Sequence, residues 1–193
     1  MSLKKYSFLR NNKISFKKYS LVPLRKSDIQ TIRKWRNEQI NVLRQEIPLS
    51  TDAQLRYYNN TIQKSFYKIK PDIILFSFLY CGKCIGYGGL VNIDWNSKRT
   101  ELSFVLDTRR IENLHVYKKE FSIFLKLILQ VCFKDLLFNR IFTETYDIRP
   151  HHIMTLEKFG FVFEGRLRHH AIINGSYADS LLHGLLMKDY VEK

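Results

Sequence analysis

The sequence is poor in several residue types, and each scarcity disfavours a class of protein. Its 193 residues include only 3 cysteines, which do not suit a disulfide scaffold, and only 4 prolines and 8 glycines, too few for a collagen-like or low-complexity chain. No uncharged apolar run is long enough to predict a membrane span, and no signal peptide precedes the cysteines. We therefore expect a reduced, cytoplasmic protein with no membrane partner.

Cys81 and Cys84 form a C-x-x-C pair, a spacing found in redox centres and in half of a zinc site. No second Cys or His pair follows at zinc-ligand spacing, and the pair flanks Gly82 and Lys83 between two apolar runs. A hairpin turn explains this pattern better than either site does. The 6 histidines show no ligand spacing, so we predict no metal site.

Acidic residues are outnumbered, since 18 Asp and Glu face 32 Lys and Arg for a formal net charge of +14. Such a charge can attract nucleic acid, an anionic membrane or a phosphorylated ligand, and charge alone does not choose among them. Residues 1–18 contain no acid and hold these cations: Lys4, Lys5, Arg10, Lys13, Lys17 and Lys18. We expect a basic N-terminal arm over residues 1–18, frayed and solvated, and one globular domain over residues 19–193.

Apolar periodicity predicts a mixed α/β (α+β) domain. Strands are expected at residues 19–24, 73–80, 85–95, 100–106 and 140–145, and on both sides of the Asn174-Gly175 turn. Helices are expected after Ser27, after Ser50 or Thr51, over residues 117–135, and from Pro150 to Phe159. The central strands form an antiparallel meander, and a βαβ unit follows it.

Several runs of residues carry a specific resemblance. They are Leu156-Glu157-Lys158-Phe159-Gly160-Phe161, Glu164-Gly165-Arg166-Leu167-Arg168, Asn174-Gly175, Asp179 and His183-Gly184-Leu185-Leu186, with Trp35-Arg36-Asn37 and Ile85-Gly86-Tyr87-Gly88-Gly89-Leu90 upstream. Over residues 19 to about 190 the chain resembles the RimJ/RimL-type branch of the GNAT N-acetyltransferase superfamily. The resemblance implies a GNAT-like splayed, mostly antiparallel sheet of about seven strands flanked by about four helices, with acetyl-CoA as co-substrate.

The resemblance also implies where acetyl-CoA is held. The strands over residues 100–106 and 140–145 should part, so that backbone groups of Phe104, Val105 and Leu106 can pair with the pantetheine amides. The diphosphate should meet the amino end of a helix at Tyr117, where positive charge is available from Arg109, Arg110, Lys118, Lys119 and Arg149. The chain departs from the family here, because Tyr117 and Lys119 occupy positions that usually hold phosphate-cradling glycines.

Acetyl transfer to an amine requires a base for the amine and a proton for the leaving thiolate. Glu101, on the strand beside the expected slot, is our candidate base; an ordinary strand carboxylate paired with Lys98 or Arg99 is the alternative. His152 is our candidate acid, at a position where the branch usually carries Ser. A solvent-facing histidine at a helix start is the alternative for His152.

The acceptor is expected to bind between the first helix and the central strands, with Trp35 in the core. The candidate substrate-binding residues are Arg36, Asn37, Arg44, Tyr87, Asn92 and Asp94. We expect a small-molecule amine, and the surplus of cations favours a phosphorylated one, such as an amino sugar on a nucleotide diphosphate.

Rival functions remain open at this stage. The first is acetylation of a protein or ribosomal-protein amino terminus, and the second is a GNAT-like binding module without catalysis, which the missing glycines favour. A nucleic-acid-binding domain is disfavoured, because no helix-turn-helix, zinc-finger or RRM signature is present. A homodimer is compatible with the sequence.

Overall fold

One eight-stranded sheet organises residues 4–192, the part of the chain that the computed structural model describes. The strands are β1 (Ile14–Phe16), β2 (Tyr19–Pro23), β3 (Ile74–Tyr80), β4 (Lys83–Asp94), β5 (Arg99–Leu106), β6 (Arg140–Tyr146), β7 (Val162–Ile173) and β8 (Ser176–Leu186). Their order in the sheet is β1-β2-β3-β4-β5-β6-β8-β7. All neighbours are antiparallel except β5 and β6, which are parallel. The expected mixed, mostly antiparallel sheet is confirmed, with β1 as an additional strand.

The helices are α1 (Ile29–Glu38), α2 (Thr51–Tyr57), α3 (Gln63–Ser65), α4 (Thr108–Ile111), α5 (Leu114–Gln130) and α6 (Pro150–Lys158). Two π-helical turns, Tyr58–Ile62 and Val131–Asp135, continue α2 and α5. Since α3 ends the helix that α2 begins, the helix not expected from the sequence is α4, which is too short to carry a periodic apolar pattern. No helix within residues 4–192 is both long and apolar enough to cross a membrane.

Helix α5 supplies the centre of the core. Phe121 and Phe124 on its buried face are fully enclosed, as the apolar spacing predicts. The ring of Phe124 lies 4.4 Å from that of Phe104 on β5 and 5.6 Å from that of Phe78 on β3. The helix therefore packs across the middle of the sheet and fixes the strands that line the site described below.

The described part of the basic N-terminal segment is not a frayed arm. Tyr6 is 1% exposed; its hydroxyl donates to the carbonyl of Leu75 at 3.0 Å and accepts from the amide of Leu75 at 2.7 Å. Its ring packs edge-on against Phe66 and Phe76, and β1 pairs with β2. The expected boundary at residue 18 is therefore wrong for residues 4–18, while residues 1–3 lie outside the described part of the chain.

Two turns follow the sequence prediction. Cys81 and Gly82 have positive φ, 48° and 78°, in the tight turn between β3 and β4, which confirms the hairpin reading of the C-x-x-C pair. Asn174 and Gly175 have φ of 51° and 80° in the turn between β7 and β8. All three thiols are free, and the described residues contain no His, Cys, Asp or Glu cluster that could hold a metal ion.

Glycines let β4 approach β5 closely. A Cβ atom on Gly88 would lie 2.1 Å from the carbonyl oxygen of Ser103, and one on Gly86 would lie 2.7 Å from that of Val105. Such contacts are impossible for real side chains, so these positions require glycine. This close approach fixes the strand that forms one wall of the site.

Candidate active site

Strands β5 and β6 pair only at their beginnings. The register starts at Arg99 with Arg140 and ends at Glu101 with Phe142. Beyond that pair β5 continues to Leu106 and β6 to Tyr146 without further pairing between them. A wedge-shaped gap therefore opens between two neighbouring parallel strands, in the place that the sequence analysis predicts.

Backbone groups of β5 face this gap. The carbonyl oxygens of Ser103 and Val105 approach the glycines of β4, so the N–H and C=O of Phe104 between them point the opposite way, into the gap. The carbonyl of Leu106 also points to this side and accepts a hydrogen bond from the Gln39 side chain at 2.8 Å. An extended, amide-bearing ligand could therefore pair with Phe104 as an added strand would.

A cavity of about 330 Å³ occupies the gap. Its walls come from β4, β5, β6, the loop after α1 and the first turn of α6. The predicted site residues that line it are Arg36, Arg44, Tyr87, Asn92, Glu101, Phe104, Val105, Arg149 and His152. The topology thus brings the candidate base, the candidate acid and most of the expected acceptor residues into one cleft.

Glu101 lies at the vertex of the gap and is 3% exposed. The Asn92 side chain donates to its Oε2 at 2.7 Å, and the Arg44 guanidinium forms an ion pair with its Oε1. Asn92 reaches this position because the register of β4 shifts beside it and its φ is +48°, a conformation that Asn tolerates. Arg99, one of the alternative partners considered for Glu101, pairs with Asp94 instead.

Arg44 also contacts the facing strand. Its second terminal nitrogen donates to Oε2 of Glu144 on β6 at 3.1 Å. The other carboxylate oxygen of Glu144 is buried and has no hydrogen-bond partner among the described residues; Nε2 of His170 lies 3.6 Å away. The sequence analysis missed Glu144. The available signal was its position two residues beyond Phe142, which places it on the same face of β6 just after the strands part.

Arg36 and Tyr87 line the cleft on the side of α1 and β4. Arg36 donates through Nε to the side chain of Gln45 at 2.9 Å. Because Gln45 is neutral, this contact does not compensate the charge of Arg36. Tyr87 is 6% exposed, and burial raises the pKa of its hydroxyl. Both placements agree with the expected acceptor side of the cleft.

Tyr117 and His152 form a buried pair on the helix side of the cleft. The hydroxyl of Tyr117 lies 2.6 Å from Nδ1 of His152, whose ring stacks on Phe121 with centroids 4.2 Å apart. Burial lowers the pKa of His152 well below its ordinary value, and the charge of Arg149 lowers it further. His152 is therefore a neutral imidazole near pH 7 rather than a charged acid or a solvent-facing residue.

A second cavity of about 400 Å³ adjoins the first. Arg149 and His152 line both cavities, and the second lies between the amino-terminal ends of α5 and α6. Its lining is mostly apolar, with two carboxylates, and includes Val42, Ile111, Leu114, Ile148, Pro150, Glu38 and Glu112. Together the cavities form a path from the exposed backbone of β5 to the two helix ends.

Helix α5 begins three residues earlier than predicted. Asn113 caps it by accepting a hydrogen bond from the amide of Val116 at 3.1 Å, and the amide of Tyr117 already donates to the Asn113 carbonyl at 2.9 Å. The amides left at the helix end are those of Leu114 and His115. An anion at this helix end would therefore meet Leu114 and His115, and not the backbone of Tyr117.

Two of the cations expected beside the diphosphate point elsewhere. The Arg109 side chain is 84% exposed and pairs with Asp107 at 2.9 Å. Arg110 donates to the buried carboxylate of Glu120 at 2.7 Å. Both arginines lie on the short helix α4, where Thr108 and Ile111 rather than the arginines line the second cavity.

Five other predicted residues do not line either cavity: Asn37, Asp94, Leu106, Lys118 and Lys119. Asn37 accepts a hydrogen bond from the amide of Leu49 at 2.8 Å and so holds the loop that carries Arg44. Asp94 accepts from the amide of Ser97 at 2.9 Å in the turn before β5, and these hydrogen bonds lower its pKa to about 2. Both are therefore structural in this fold. The lysines follow Tyr117 in the second turn of α5, away from its amino-terminal end.

Residues 21–182 match the protein family described as the Acetyltransferase (GNAT) domain. The chain belongs to the GNAT acetyltransferases. It is thus an N-acetyltransferase, and acetyl-CoA is its co-substrate. No curated protein sequence matches the chain significantly.

Solved structures of GNAT acetyltransferases share this fold. The spermidine N-acetyltransferase of Vibrio cholerae, solved in complex with CoA and spermine, superposes with a TM-score of 0.79 at 21% identity, covering 91% of this chain and 99% of the Vibrio chain. A chimera of that enzyme gives a TM-score of 0.77 at 22% identity, covering 91% and 99% of the two chains. At such identities the likeness shows the fold alone.

Proposed function

We propose that this GNAT acetyltransferase is a cytoplasmic enzyme of the RimJ/RimL-type branch that acetylates the primary amine of a small molecule by direct transfer in a ternary complex. The observation that supports it is the divergence of β5 and β6 beyond Glu101 and Phe142, with a buried carboxylate at the vertex. A slot for the donor and a base for the acceptor therefore lie at one point of the sheet.

The residues of the gap fit the amide-bearing arm of acetyl-CoA. The backbone C=O of Phe104 would hold that arm, while Arg149 and the amides of Leu114 and His115 would face its diphosphate. Glycines are not required at a helix end whose free amides belong to the first turn. When bound, acetyl-CoA supplies an acetyl group activated as a thioester.

Glu101 is the base in this proposal. It takes the proton from the acceptor amine, directly or through a water molecule, because it is the buried carboxylate nearest the point where the strands separate. The amide of Phe104 stabilises the negative charge that develops on the carbonyl oxygen during attack. Arg44 and Asn92 each donate to one oxygen of Glu101, and the charge of Arg44 favours the ionised carboxylate, so release of Arg44 would help Glu101 to accept a proton.

The proton for the leaving thiolate is assigned to the Tyr117 hydroxyl. His152 is neutral and buried, so it positions this hydroxyl instead of acting as a charged acid. Burial raises the pKa of this hydroxyl, and Arg149, whose terminal nitrogen lies 3.4 Å away, opposes part of that rise because its charge favours the tyrosinate that proton donation leaves behind.

The charge of the cleft favours an acceptor that carries an anionic group beside its amine. Arg149 is assigned to the donor diphosphate, whereas Arg36, on the acceptor side, contacts the neutral Gln45 and can bind such an anionic group. An amino sugar on a nucleotide diphosphate has this combination of groups. A polyamine is the second candidate, because the unpartnered oxygen of Glu144 is a ready acceptor for an ammonium group.

Two measurements test the proposal. Calorimetric titration with acetyl-CoA should show binding at sub-millimolar concentration, and steady-state kinetics should show acetylation within a panel of nucleotide amino sugars, polyamines and amino-terminal peptides. Activity on the peptides alone would assign the enzyme to protein amino termini. Absence of acetyl-CoA binding would leave a binding module without catalysis.

A further inference from the structure

Arg44 holds an unusual position for an arginine on an exposed loop. Its side chain is 47% exposed, yet its guanidinium forms ion pairs with two shielded carboxylates, Glu101 on β5 and Glu144 on β6. These carboxylates lie on opposite sides of the gap, so the guanidinium closes the cleft at its vertex. A cation already occupies the place where an acceptor ammonium would have to lie to reach Glu101.

This ion pair opposes the base role of Glu101, because a neighbouring cation stabilises the ionised carboxylate. The guanidinium engages Oε1, and Asn92 engages Oε2 at 2.7 Å. Asn92 reaches Oε2 through a short side chain on the backbone of β4, whereas the long Arg44 side chain has an open route to solvent. Of the two donors, Arg44 is therefore the one that can leave.

The loop that carries Arg44 is anchored on both sides, so its side chain can move without the backbone. Gln45 accepts a hydrogen bond from Arg36 at 2.9 Å and donates to Asn37 at 3.0 Å. Asn37 also accepts from the amide of Leu49 at 2.8 Å. A displaced Arg44 guanidinium would thus stay at the mouth of the cleft, on the same side as Arg36.

When Arg44 leaves, the Glu101 carboxylate and the Arg44 guanidinium each lose an ionic partner. Buried Glu101 needs another cation, which the acceptor ammonium provides, since an unpaired buried carboxylate is strongly unfavourable. The displaced guanidinium, now near Arg36, needs an anion. A polyamine satisfies the first requirement and violates the second, because it adds positive charge beside two arginines.

We propose that Arg44 is a specificity-determining residue of the acceptor site. It fills the ammonium position between Glu101 and Glu144 in the resting enzyme, and it leaves that position for an amine whose own anionic group binds the released guanidinium. Purely cationic amines are selected against. This inference rests on the proposed function, since it concerns the acceptor of the same cleft.

The test compares amine binding by calorimetry in the absence of acetyl-CoA, so that it does not depend on turnover. The probes are glucosamine 6-phosphate, glucosamine, which differs from it only by the phosphate, and spermidine. The wild-type protein should bind the phosphorylated sugar at least about tenfold more tightly than glucosamine, a difference of about 1.4 kcal/mol. Arg44→Ala should remove this preference and bind spermidine about tenfold more tightly than the wild type does.

Two further variants keep the result interpretable. Arg44→Lys retains the positive charge but not the two-pronged contact, and it should give an intermediate preference. Arg56→Ala removes an exposed arginine of α2 that lines neither cavity, and it should bind all three amines as the wild type does.

The outcomes separate the two proposals. If acetyl-CoA binds and the amine preferences of Arg44→Ala equal those of the wild type, the Arg44 inference is overturned and the acetyltransferase proposal stands. If the preferences shift as expected but acetyl-CoA does not bind, the catalytic proposal fails and amine selection by Arg44 stands. A shift of the same size in Arg56→Ala would also overturn the inference, because the effect would then be one of net charge.

Discussion

The two walls of the cleft differ in how they are built. The β5 wall is fixed by backbone contacts, with glycines pressing β4 against it and Glu101 at the point where β6 departs. The helix wall is made of side chains, with Tyr117 and His152 bonded to each other and Arg149 beside them. The β5 wall keeps the geometry that its family implies, while the helix wall replaces a glycine cradle with bulky groups. Under the proposed function, the sheet therefore fixes the reacting end of the site, whereas its phosphate end is built largely from side chains.

The largest expected effect tests the β5 wall. Glu101→Gln should lower kcat by about 10²–10⁴-fold, the range that general base catalysis contributes, because an amide cannot take the amine proton. Steady-state kinetics on the identified acceptor would measure it, with Glu46→Gln as a control on an exposed residue of the neighbouring loop. A variant with wild-type kcat would show that the base lies elsewhere.

The rigidity of the same wall is tested by Gly88→Ala. The added Cβ would lie 2.1 Å from the Ser103 carbonyl oxygen, so β4 and β5 must separate. Overpacking of this kind costs about 1–3 kcal/mol, which for a protein of this size lowers Tm by roughly 2–12 °C.

Gly165→Ala is the matched control for this substitution, since its nearest neighbour would lie 4.0 Å away. Its Tm in thermal unfolding should stay close to that of the wild type. Equal Tm values for the two variants would contradict the account of the β5 wall as a tightly packed pair of strands.

The helix wall makes a prediction about donor affinity. Arg149→Ala should raise the Kd of acetyl-CoA about tenfold, or about 1.4 kcal/mol, because a charge-assisted contact to phosphate is lost. Arg109→Ala should leave the Kd unchanged, since that side chain is 84% exposed and pairs with Asp107. Calorimetry distinguishes the two, and the opposite ranking would restore the diphosphate position implied by the family resemblance.

The smallest effect concerns pH. The pKa of His152 is lowered in the folded protein, so at pH below about 6.5 the unfolded chain binds a proton that the native state does not bind. Stability therefore falls as the pH drops from the ordinary histidine pKa toward the native one, by up to about 1.4 kcal/mol per pH unit. His183, whose pKa burial also lowers, contributes with the same sign.

Urea unfolding at about pH 7.5 and about pH 5.5 would measure this loss in the wild type and in His152→Gln, which removes one titrating group. The variant should lose less stability between the two conditions. An equal loss in both proteins would mean that His152 is charged in the native state and that the helix wall is less buried than described.

The sequence was sufficient for the parts of the fold that repeat a local pattern. The apolar runs of β3 and β5, the spacing of Phe121 and Phe124 on α5, and the turn at Asn174 follow from neighbours a few residues apart. The place of the gap also followed, because the resemblance supplied which two strands are adjacent. Glu101 could be named because it lies on one of them.

What the sequence did not reveal depends on contacts between distant residues. Arg44 and Glu144 are 100 positions apart, and nothing local marks them as partners. The start of α5 was misplaced because its cap, Asn113, lies in a polar stretch without an apolar period. Arg110 was expected to face phosphate, but its partner, Glu120, is buried at a position that apolar spacing assigns to the core.

The enclosure of Tyr6 changes what proteases can do to this chain. Arg10 and Lys13 are exposed, so trypsin has sites just past the aromatic ring that fills the space between Phe66 and Phe76. Cleavage there would not trim a dispensable tail. It would release the Tyr6 ring that covers those phenylalanines and remove the hydroxyl that bonds to Leu75. Limited digestion of this segment is therefore a sensitive probe of whether the sheet is intact.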